Sequence, residues 1–132
     1  MSVFLDTSGL YALLDADDAN HSRAAKTWSA LLERDEELVT NNYVLVESFA
    51  LFQNRLGLES VRMLQQRLLP LFRIVWIDED IHAAAMMALL TTSKRRLSLV
   101  DCASFETMRR AEIETAFAFD RHFAEQGFAK IP

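Results

Sequence analysis

The chain has few of the residues that mark disulfide-linked, fibrous or disordered proteins. Its 132 residues include three glycines, two prolines and a single cysteine, Cys102. One cysteine excludes an internal disulfide framework and a cysteine-rich zinc site, and it is compatible with a reducing compartment. So few glycines and prolines exclude a linker-rich or low-complexity chain. The length and the 51% share of apolar residues therefore predict a single folded domain over residues 1–132.

Long hydrophobic runs are also missing. The longest uninterrupted apolar stretch, from Ala83 to Leu90, is far too short to cross a bilayer. A secretory signal is not indicated, because Asp6 interrupts the first apolar stretch and no basic segment precedes it. We therefore expect a cytoplasmic protein that does not engage a membrane.

An excess of positive charge, typical of nucleic-acid-binding proteins, is absent. The chain has 19 acidic and 14 basic side chains and a net charge of −5. If four of the acids hold divalent cations, 15 acidic side chains remain against 14 basic ones, and the surface is nearly neutral. The charge balance thus neither excludes nor supports a nucleic-acid partner.

Short apolar segments alternate with segments of helical periodicity along the whole chain. This alternation predicts an α/β fold with a parallel sheet covered on both faces. Thr7 or Ser8 is expected to cap the first helix, and Asn41 or Asn42 the third. The predicted strands are 2–5, 38–40, 73–77, 115–119 and 128–131, and the predicted helices are 9–15, 21–34, 42–56, 58–69, 81–92 and 99–110.

Four acidic residues, far apart in sequence, lie within or directly after apolar runs. Asp6 and Asp120 each follow a predicted strand, while Glu47 and Asp101 lie near the starts of predicted helices. Ligands of open α/β sheets bind at the carboxyl ends of the strands, so these side chains are expected to meet at one edge.

A cluster of four carboxylates in apolar surroundings repels itself, and some of its members stay protonated at neutral pH. An oxygen-preferring cation such as Mg²⁺ or Mn²⁺ relieves that repulsion and can activate water for attack on a phosphoryl group. Each acid also has an ordinary explanation. Asp6 and Asp120 could cap helices, Glu47 could be a paired helix residue, and Asp101 could complement a helix dipole.

Several segments, taken in order, resemble the PIN-domain family of metal-dependent ribonucleases and, more narrowly, the VapC toxins of VapBC toxin–antitoxin pairs. No single segment is specific, but the set spans essentially the whole chain. The segments are Phe-Leu-Asp-Thr-Ser at 4–8, the turn at 15–21, Thr-Asn-Asn-Tyr-Val-Leu-Val-Glu at 40–47, Leu-Ser-Leu-Val-Asp-Cys-Ala-Ser at 97–104 and Ala-Phe-Asp-Arg-His-Phe at 118–123, with Gly-Phe at 127–128.

The resemblance implies a three-layer α/β/α sandwich with a parallel, roughly five-stranded sheet. It implies a Mg²⁺ or Mn²⁺ site formed by Asp6, Glu47, Asp101 and Asp120, and RNA cleavage by metal-activated water. Thr7 or Ser8 would orient Asp6 or that water. It also implies a homodimer and a cognate VapB-type antitoxin. One departure is Ala118, where many relatives have Thr or Ser.

Other polar and aromatic residues are assigned more modest roles. Lys94, Arg95 and Arg96 in a predicted loop could grip phosphates or be solvated, and Arg121 could reach RNA or pair with an acid. The three histidines are too scattered for a metal triad and are interpreted as structural. Trp28, Trp76 and the phenylalanines are predicted mostly as core.

Three other interpretations compete with a nuclease. Haloacid-dehalogenase-type phosphatases need a second Asp two residues after the first, where this chain has Ser8. Receiver domains carry an acidic pair near the start and a later phosphorylated Asp, which Asp6 alone does not match. The third is a non-catalytic PIN-like module that binds RNA or protein, which the presence of all four acids disfavours.

Overall fold

A computed structural model of the chain describes residues 1–92 and 96–132. A π-helical turn, Leu64–Leu68, and a 3₁₀ turn, Leu69–Leu71, connect the fourth helix to the third strand. The strands are β1 Ser2–Leu5, β2 Glu37–Asn41, β3 Phe72–Val75, β4 Thr115–Phe117 and β5 Ala129–Ile131, and the helices are α1 Thr7–Leu14, α2 His21–Glu33, α3 Asn42–Leu56, α4 Leu58–Met63, α5 Glu79–Thr91, α6 Leu99–Arg110 and α7 His122–Glu125.

The five strands form one parallel sheet in the order β3-β2-β1-β4-β5. The central strand β1 pairs with β2 and β4, so that Val3 lies between Leu38 and Thr115. Successive residues of a strand point to opposite faces, and Phe4 and Leu5 are both fully buried. Both faces of the sheet are therefore covered, as parallel sheets require. The predicted α/β fold with a five-stranded parallel sheet is confirmed.

Aromatic side chains make up much of the core around β1 and β4. The ring centres of Trp28 and Phe117 are 5.7 Å apart. Those of Phe123 and Phe105 are 5.1 Å apart, in an edge-to-face arrangement. The prediction that the tryptophans are core is correct for Trp28 and wrong for Trp76, which is 68% exposed. Trp76 directly follows β3, which is an edge strand of the described sheet.

Several predicted boundaries are wrong by two or more residues. Strand β3 ends at Val75 rather than at residue 77, because the N–H of Ile77 bonds to the Asn42 side chain. Strand β4 ends at Phe117 rather than at residue 119, because the N–H of Phe119 is taken by a serine hydroxyl. Helix α5 begins at residue 79, two residues early, and the helix predicted over 58–69 is α-helical only to residue 63.

A close approach places α1 against the end of β4. A Cβ atom added to Gly9 would lie 2.5 Å from the backbone oxygen of Phe117, so only glycine fits there without displacing the strand. The same oxygen accepts a hydrogen bond of 3.2 Å from the N–H of Asp6. Gly9 thus allows the start of α1 to lie at the carboxyl end of β4. None of the helices in the described part of the chain is long and apolar enough to span a membrane.

Candidate metal centre

Two of the four candidate acids follow the carboxyl ends of the neighbouring strands β1 and β4. Leu5, the last residue of β1, is in register with Phe117, the last residue of β4. Asp6 follows the first of these directly, and Asp120 comes three residues after the second. Two chain segments far apart in sequence therefore deliver carboxylates to one edge of the sheet, where ligands of such folds bind.

Asp6 is the N-cap of α1 and is only 4% exposed. Its Oδ2 accepts hydrogen bonds from the backbone N–H of Ser8 at 3.1 Å and from the Ser8 hydroxyl at 2.6 Å. The expectation that Thr7 or Ser8 caps this helix is wrong. The N-cap is Asp6, whose carboxylate accepts a hydrogen bond from the otherwise unpaired N–H of Ser8 in the first turn.

Burial raises the pKa of Asp6 from 3.8 to about 7, against the opposing effect of the two hydrogen bonds from Ser8. The negative charges of Asp101 and Glu47 raise this pKa further. These two acids approach Asp6 from different helices, α6 and α3. The charges of two other candidate acids thus act on Asp6 across the edge of the sheet.

Thr7 and Ser8 take different parts beside Asp6. The Ser8 hydroxyl also accepts a hydrogen bond of 3.0 Å from the N–H of Phe119, so it joins Asp6 to the segment that leads to Asp120. Thr7 accepts a hydrogen bond of 3.1 Å from the hydroxyl of Ser48, on α3. Ser8 is therefore the residue positioned to orient Asp6, whereas Thr7 ties α1 to α3.

Glu47 lies half-buried in the second turn of α3. That helix is capped by Asn41, whose Oδ1 accepts from the N–H of Val44 at 2.8 Å and whose Nδ2 donates to Thr107 on α6 at 3.1 Å. The prediction that Asn41 or Asn42 caps this helix is confirmed for Asn41. Among the described residues, no hydrogen bond or ion pair engages the Glu47 carboxylate, which leaves its oxygens available to a ligand.

Asp101 is the third residue of α6 and forms a reciprocal cap with Ser98. Its backbone N–H donates to the Ser98 hydroxyl at 3.1 Å, and its Oδ2 accepts from the Ser98 N–H at 3.0 Å. Burial raises the pKa of Asp101, and the neighbouring charge of Asp120 adds to the increase while Ser98 and His122 oppose it. The cap holds one carboxylate oxygen and leaves Oδ1 for another partner.

Asp120 lies beside His122, one of the three histidines that the sequence suggested to be structural. The Oδ1 atom of Asp120 accepts a hydrogen bond of 2.9 Å from the N–H of His122, and Nδ1 of the His122 ring lies 2.8 Å from the same oxygen. Asp101, Asp120 and His122 can each offer a ligand atom, and these atoms all lie within 4.8 Å of one another. The only local signal for His122 is its position two residues after Asp120.

The other two histidines have contacts outside this cluster. Nδ1 of His21 lies 2.9 Å from the backbone oxygen of Ala12. The ring of His82 is hydrogen-bonded to the hydroxyl of Tyr43, and the two rings meet edge to face with their centres 5.9 Å apart. These contacts fit the structural roles that the sequence suggested for both residues.

The residues of the cluster fit a divalent cation. Two carboxyls have raised pKa values because they are buried close to other acids, a cost that a cation removes. Carboxylate oxygens are the ligands preferred by Mg²⁺ and Mn²⁺, and an imidazole is compatible with Mn²⁺. No arginine or lysine among the described residues forms an ion pair with these acids, so their charge is left for an ion.

The basic residues suggested for RNA binding are exposed or lie outside the described residues. Lys94 and Arg95 lie outside the described residues. Arg96 is exposed in a turn. Arg121 is exposed, and its Nε lies 3.5 Å from Glu125 on the next turn of α7. Of the two alternatives for Arg121, pairing with an acid is the one observed.

An open apolar groove of about 370 Å³ borders the candidate metal centre. Tyr43, Val46 and Glu47 lie on one face of α3, since they are spaced three and four residues apart. Asn42 and Val100 complete the lining of the groove. Val46 is 70% exposed, although it directly precedes a candidate metal ligand. The sequence did not predict this groove, because its walls come from two helices.

The chain resembles known proteins along almost its entire length. The family model described as the PIN domain matches residues 3–129. The 23S rRNA-specific endonuclease VapC20 of Mycobacterium tuberculosis is 33% identical over 130 residues, which cover 98% of this chain and 97% of that protein. The crystal structure of VapC20, described as a sarcin-ricin loop cleaving toxin, has a TM-score of 0.86 and 33% identity over 97% of both chains. FitAcB of Neisseria gonorrhoeae has the same fold, with a TM-score of 0.72 at 21% identity, covering 98% of this chain and 96% of that one.

Proposed function

The chain belongs to the PIN-domain family, and from this premise we propose that it is a Mg²⁺- or Mn²⁺-dependent endoribonuclease. The observation that carries the proposal is the convergence of Asp6, Glu47 and Asp101 from three separate elements, together with the raised pKa of Asp6 that their proximity and burial produce. Asp120 joins the same cluster through its proximity to Asp101. Buried acids brought close to one another in this way are typical of a metal-assisted hydrolase.

The four acids would hold the ion, and neighbouring serines orient two of their carboxylates. Such an ion supplies Lewis-acid chemistry, in that it makes water nucleophilic at neutral pH and offsets charge that develops on a phosphodiester. Ser8 keeps one oxygen of Asp6 engaged and fixes the orientation of that carboxylate. Ser98 does the same for Asp101, which leaves one oxygen of that carboxylate unoccupied by the cap.

We infer the class of substrate from the relative of 33% identity, whose name describes cleavage of 23S rRNA. The proposed substrate is therefore ribosomal RNA, and the first candidate target is the sarcin-ricin loop that the relative's structure is described as cleaving. Ribosomal RNA places the proposed activity in the cytoplasm. The same description of the relative as a toxin supports the toxin role and a cognate VapB-type antitoxin as partner.

The apolar groove beside Glu47 is the proposed contact for a base next to the scissile phosphate. The Tyr43 ring is held by its hydroxyl bond to His82 and packs against the buried cluster of Ala85, Cys102 and Ala103, so it is a rigid aromatic wall. Bases stack on aromatic side chains without regard to sequence. A phosphate bound at the acids would bring its flanking base close to this wall.

We also propose that residues 1–132 act as one domain and assemble as a homodimer. Met87 and Leu90, on α5, are 71% and 76% exposed. They lie three residues apart and so share one face of the helix. Apolar side chains exposed in this way on one helix face favour a subunit contact.

The decisive test is cleavage of purified 23S rRNA and of a sarcin-ricin-loop hairpin, with Mn²⁺ and with EDTA, by the wild type and by Asp101→Asn. The Asn side chain can still accept the Ser98 N–H, so the fold is expected to survive while cleavage is lost. Glu106→Gln is the matched control, since Glu106 lies on the same helix and pairs with Arg110. Cleavage that persists in EDTA or in Asp101→Asn would contradict the proposal. Absence of both cleavage and a Mn²⁺-dependent rise in melting temperature would favour a non-catalytic PIN-like module that binds RNA or protein.

A further inference from the structure

His122 has a buried ring nitrogen that none of the described residues satisfies with a hydrogen bond. The residue is 8% exposed and begins helix α7. Within the described residues, its Nδ1 atom has no hydrogen-bond partner, although it lies 2.8 Å from Oδ1 of Asp120. The two atoms are close but not aligned as donor and acceptor. An unsatisfied buried nitrogen is costly, so its position calls for a partner.

The spacing of the two atoms matches that of two ligands on one ion. In octahedral coordination with bonds of about 2.1 Å, neighbouring ligand atoms lie about 3 Å apart. Oδ1 of Asp120 already accepts the N–H of His122, which fixes this carboxylate and the ring against each other. A ligand atom of Asp101 lies within 4.8 Å of both, so three donor atoms from two chain segments lie close enough together to share one ion.

We propose that His122 contributes a nitrogen ligand to the cation held by Asp101 and Asp120, and that this nitrogen biases the site toward Mn²⁺ over Mg²⁺. The inference rests on the proposed metal-dependent function. Imidazole is a better ligand for Mn²⁺ and later transition metals than for Mg²⁺, which prefers oxygen. A site formed by the carboxylates alone would discriminate less between the two ions.

The experiment compares Mn²⁺ and Mg²⁺ binding by the wild type, His122→Phe and His122→Asn. Mn²⁺ is titrated by the electron paramagnetic resonance of the free ion, and Mg²⁺ by competition. His122→Phe removes the ligand, and we expect a loss of Mn²⁺ affinity of about tenfold or more with a smaller loss for Mg²⁺. His122→Asn replaces the nitrogen with an amide oxygen and is expected to keep Mg²⁺ binding while losing the preference for Mn²⁺.

His21→Phe is the matched control, because His21 also begins a helix but lies against Ala12 outside the cluster. Pulsed resonance of Mn²⁺ on the wild type should reveal coupling to a ¹⁴N nucleus, a readout that requires no variant to fold. Absence of that coupling, or equal losses for both ions in His122→Phe, would overturn the inference. If Asp101→Asn also left Mn²⁺ binding unchanged, the metal centre itself would be wrong rather than only the role of His122.

Discussion

The hydroxyl of Ser8 donates a hydrogen bond of 2.6 Å to the buried carboxylate of Asp6, which directly follows strand β1. The hydroxyl oxygen of Ser8 also accepts a hydrogen bond of 3.0 Å from the N–H of Phe119. One small side chain therefore orients a candidate metal ligand and ties it to the segment that carries Asp120. This arrangement makes Ser8 a sensitive point at which to test the site without removing an acid.

Ser8→Ala should raise the pKa of Asp6 above about 7, because the hydroxyl bond that lowers it is lost. Mn²⁺ binding at neutral pH should weaken and recover at higher pH, where Asp6 is again ionised. The lost hydrogen bond should also cost about 1 kcal/mol of unfolding free energy. Titration of Mn²⁺ between pH 6 and 9 checks the shift.

Ser2→Ala is the control for Ser8→Ala, since Ser2 donates a hydrogen bond of 2.7 Å to the exposed carboxylate of Glu37. The Ser2→Ala change also removes a hydrogen bond from a serine hydroxyl to a carboxylate, but one outside the candidate metal centre. An Mn²⁺ pH profile that moves equally in both variants would show that Ser8 has no specific effect on Asp6.

The metal-free protein should lose stability as the pH rises from about 4 to about 7. The pKa of Asp6 is raised from 3.8 to about 7 by burial, so the folded state holds a proton that the unfolded state releases. The stabilisation is thus complete at low pH and lost through this window, at a limiting slope of about 1.4 kcal/mol per pH unit. Thermal unfolding in EDTA across this range measures it.

Asp6→Asn isolates the contribution of that one carboxyl. The free energy of unfolding of this variant should depend less on pH than that of the wild type. Without metal at pH 8 the variant should also be the more stable protein, because it has no charge to bury. Mn²⁺ should raise the melting temperature of the wild type most at pH 8. Identical slopes for the two proteins in EDTA would show that Asp6 ionises normally.

Tyr43→Ala should raise KM for RNA by about tenfold while leaving Mn²⁺ affinity unchanged, since it removes the proposed stacking wall but no candidate ligand. Tyr43→Phe should retain most of the affinity because the ring remains. Cleavage of the sarcin-ricin-loop hairpin at a range of RNA concentrations measures this effect.

Trp76→Ala is the control for an exposed aromatic residue outside the groove. An equal rise of KM in Trp76→Ala, or none in Tyr43→Ala, would count against the groove. A Tyr43→Ala protein with normal KM that no longer binds a protein inhibitor would assign the groove to that partner instead.

Patterns short enough to be decided by local energetics were predictable from the sequence. The alternation of apolar strands and amphipathic helices was sufficient for the parallel α/β fold, and apolar flanks were sufficient to single out Asp6, Glu47, Asp101 and Asp120 as candidate ligands. Strand ends were less predictable, because Phe119 exchanges a strand bond for the Ser8 hydroxyl, more than a hundred residues away.

The sequence by itself determined the class of fold and indicated the candidate acidic residues, because burial of apolar residues and helix or strand periodicity act over a few neighbouring positions. Only the tertiary structure decided which atoms meet. It brought Asp101 next to Asp120 and left the Nδ1 atom of His122, beside them, without a hydrogen-bond partner among the described residues. It also formed a groove from α3 and the start of α6. The physical reason is that contacts between distant segments depend on the packing of the whole sheet and its helices, which no local pattern encodes.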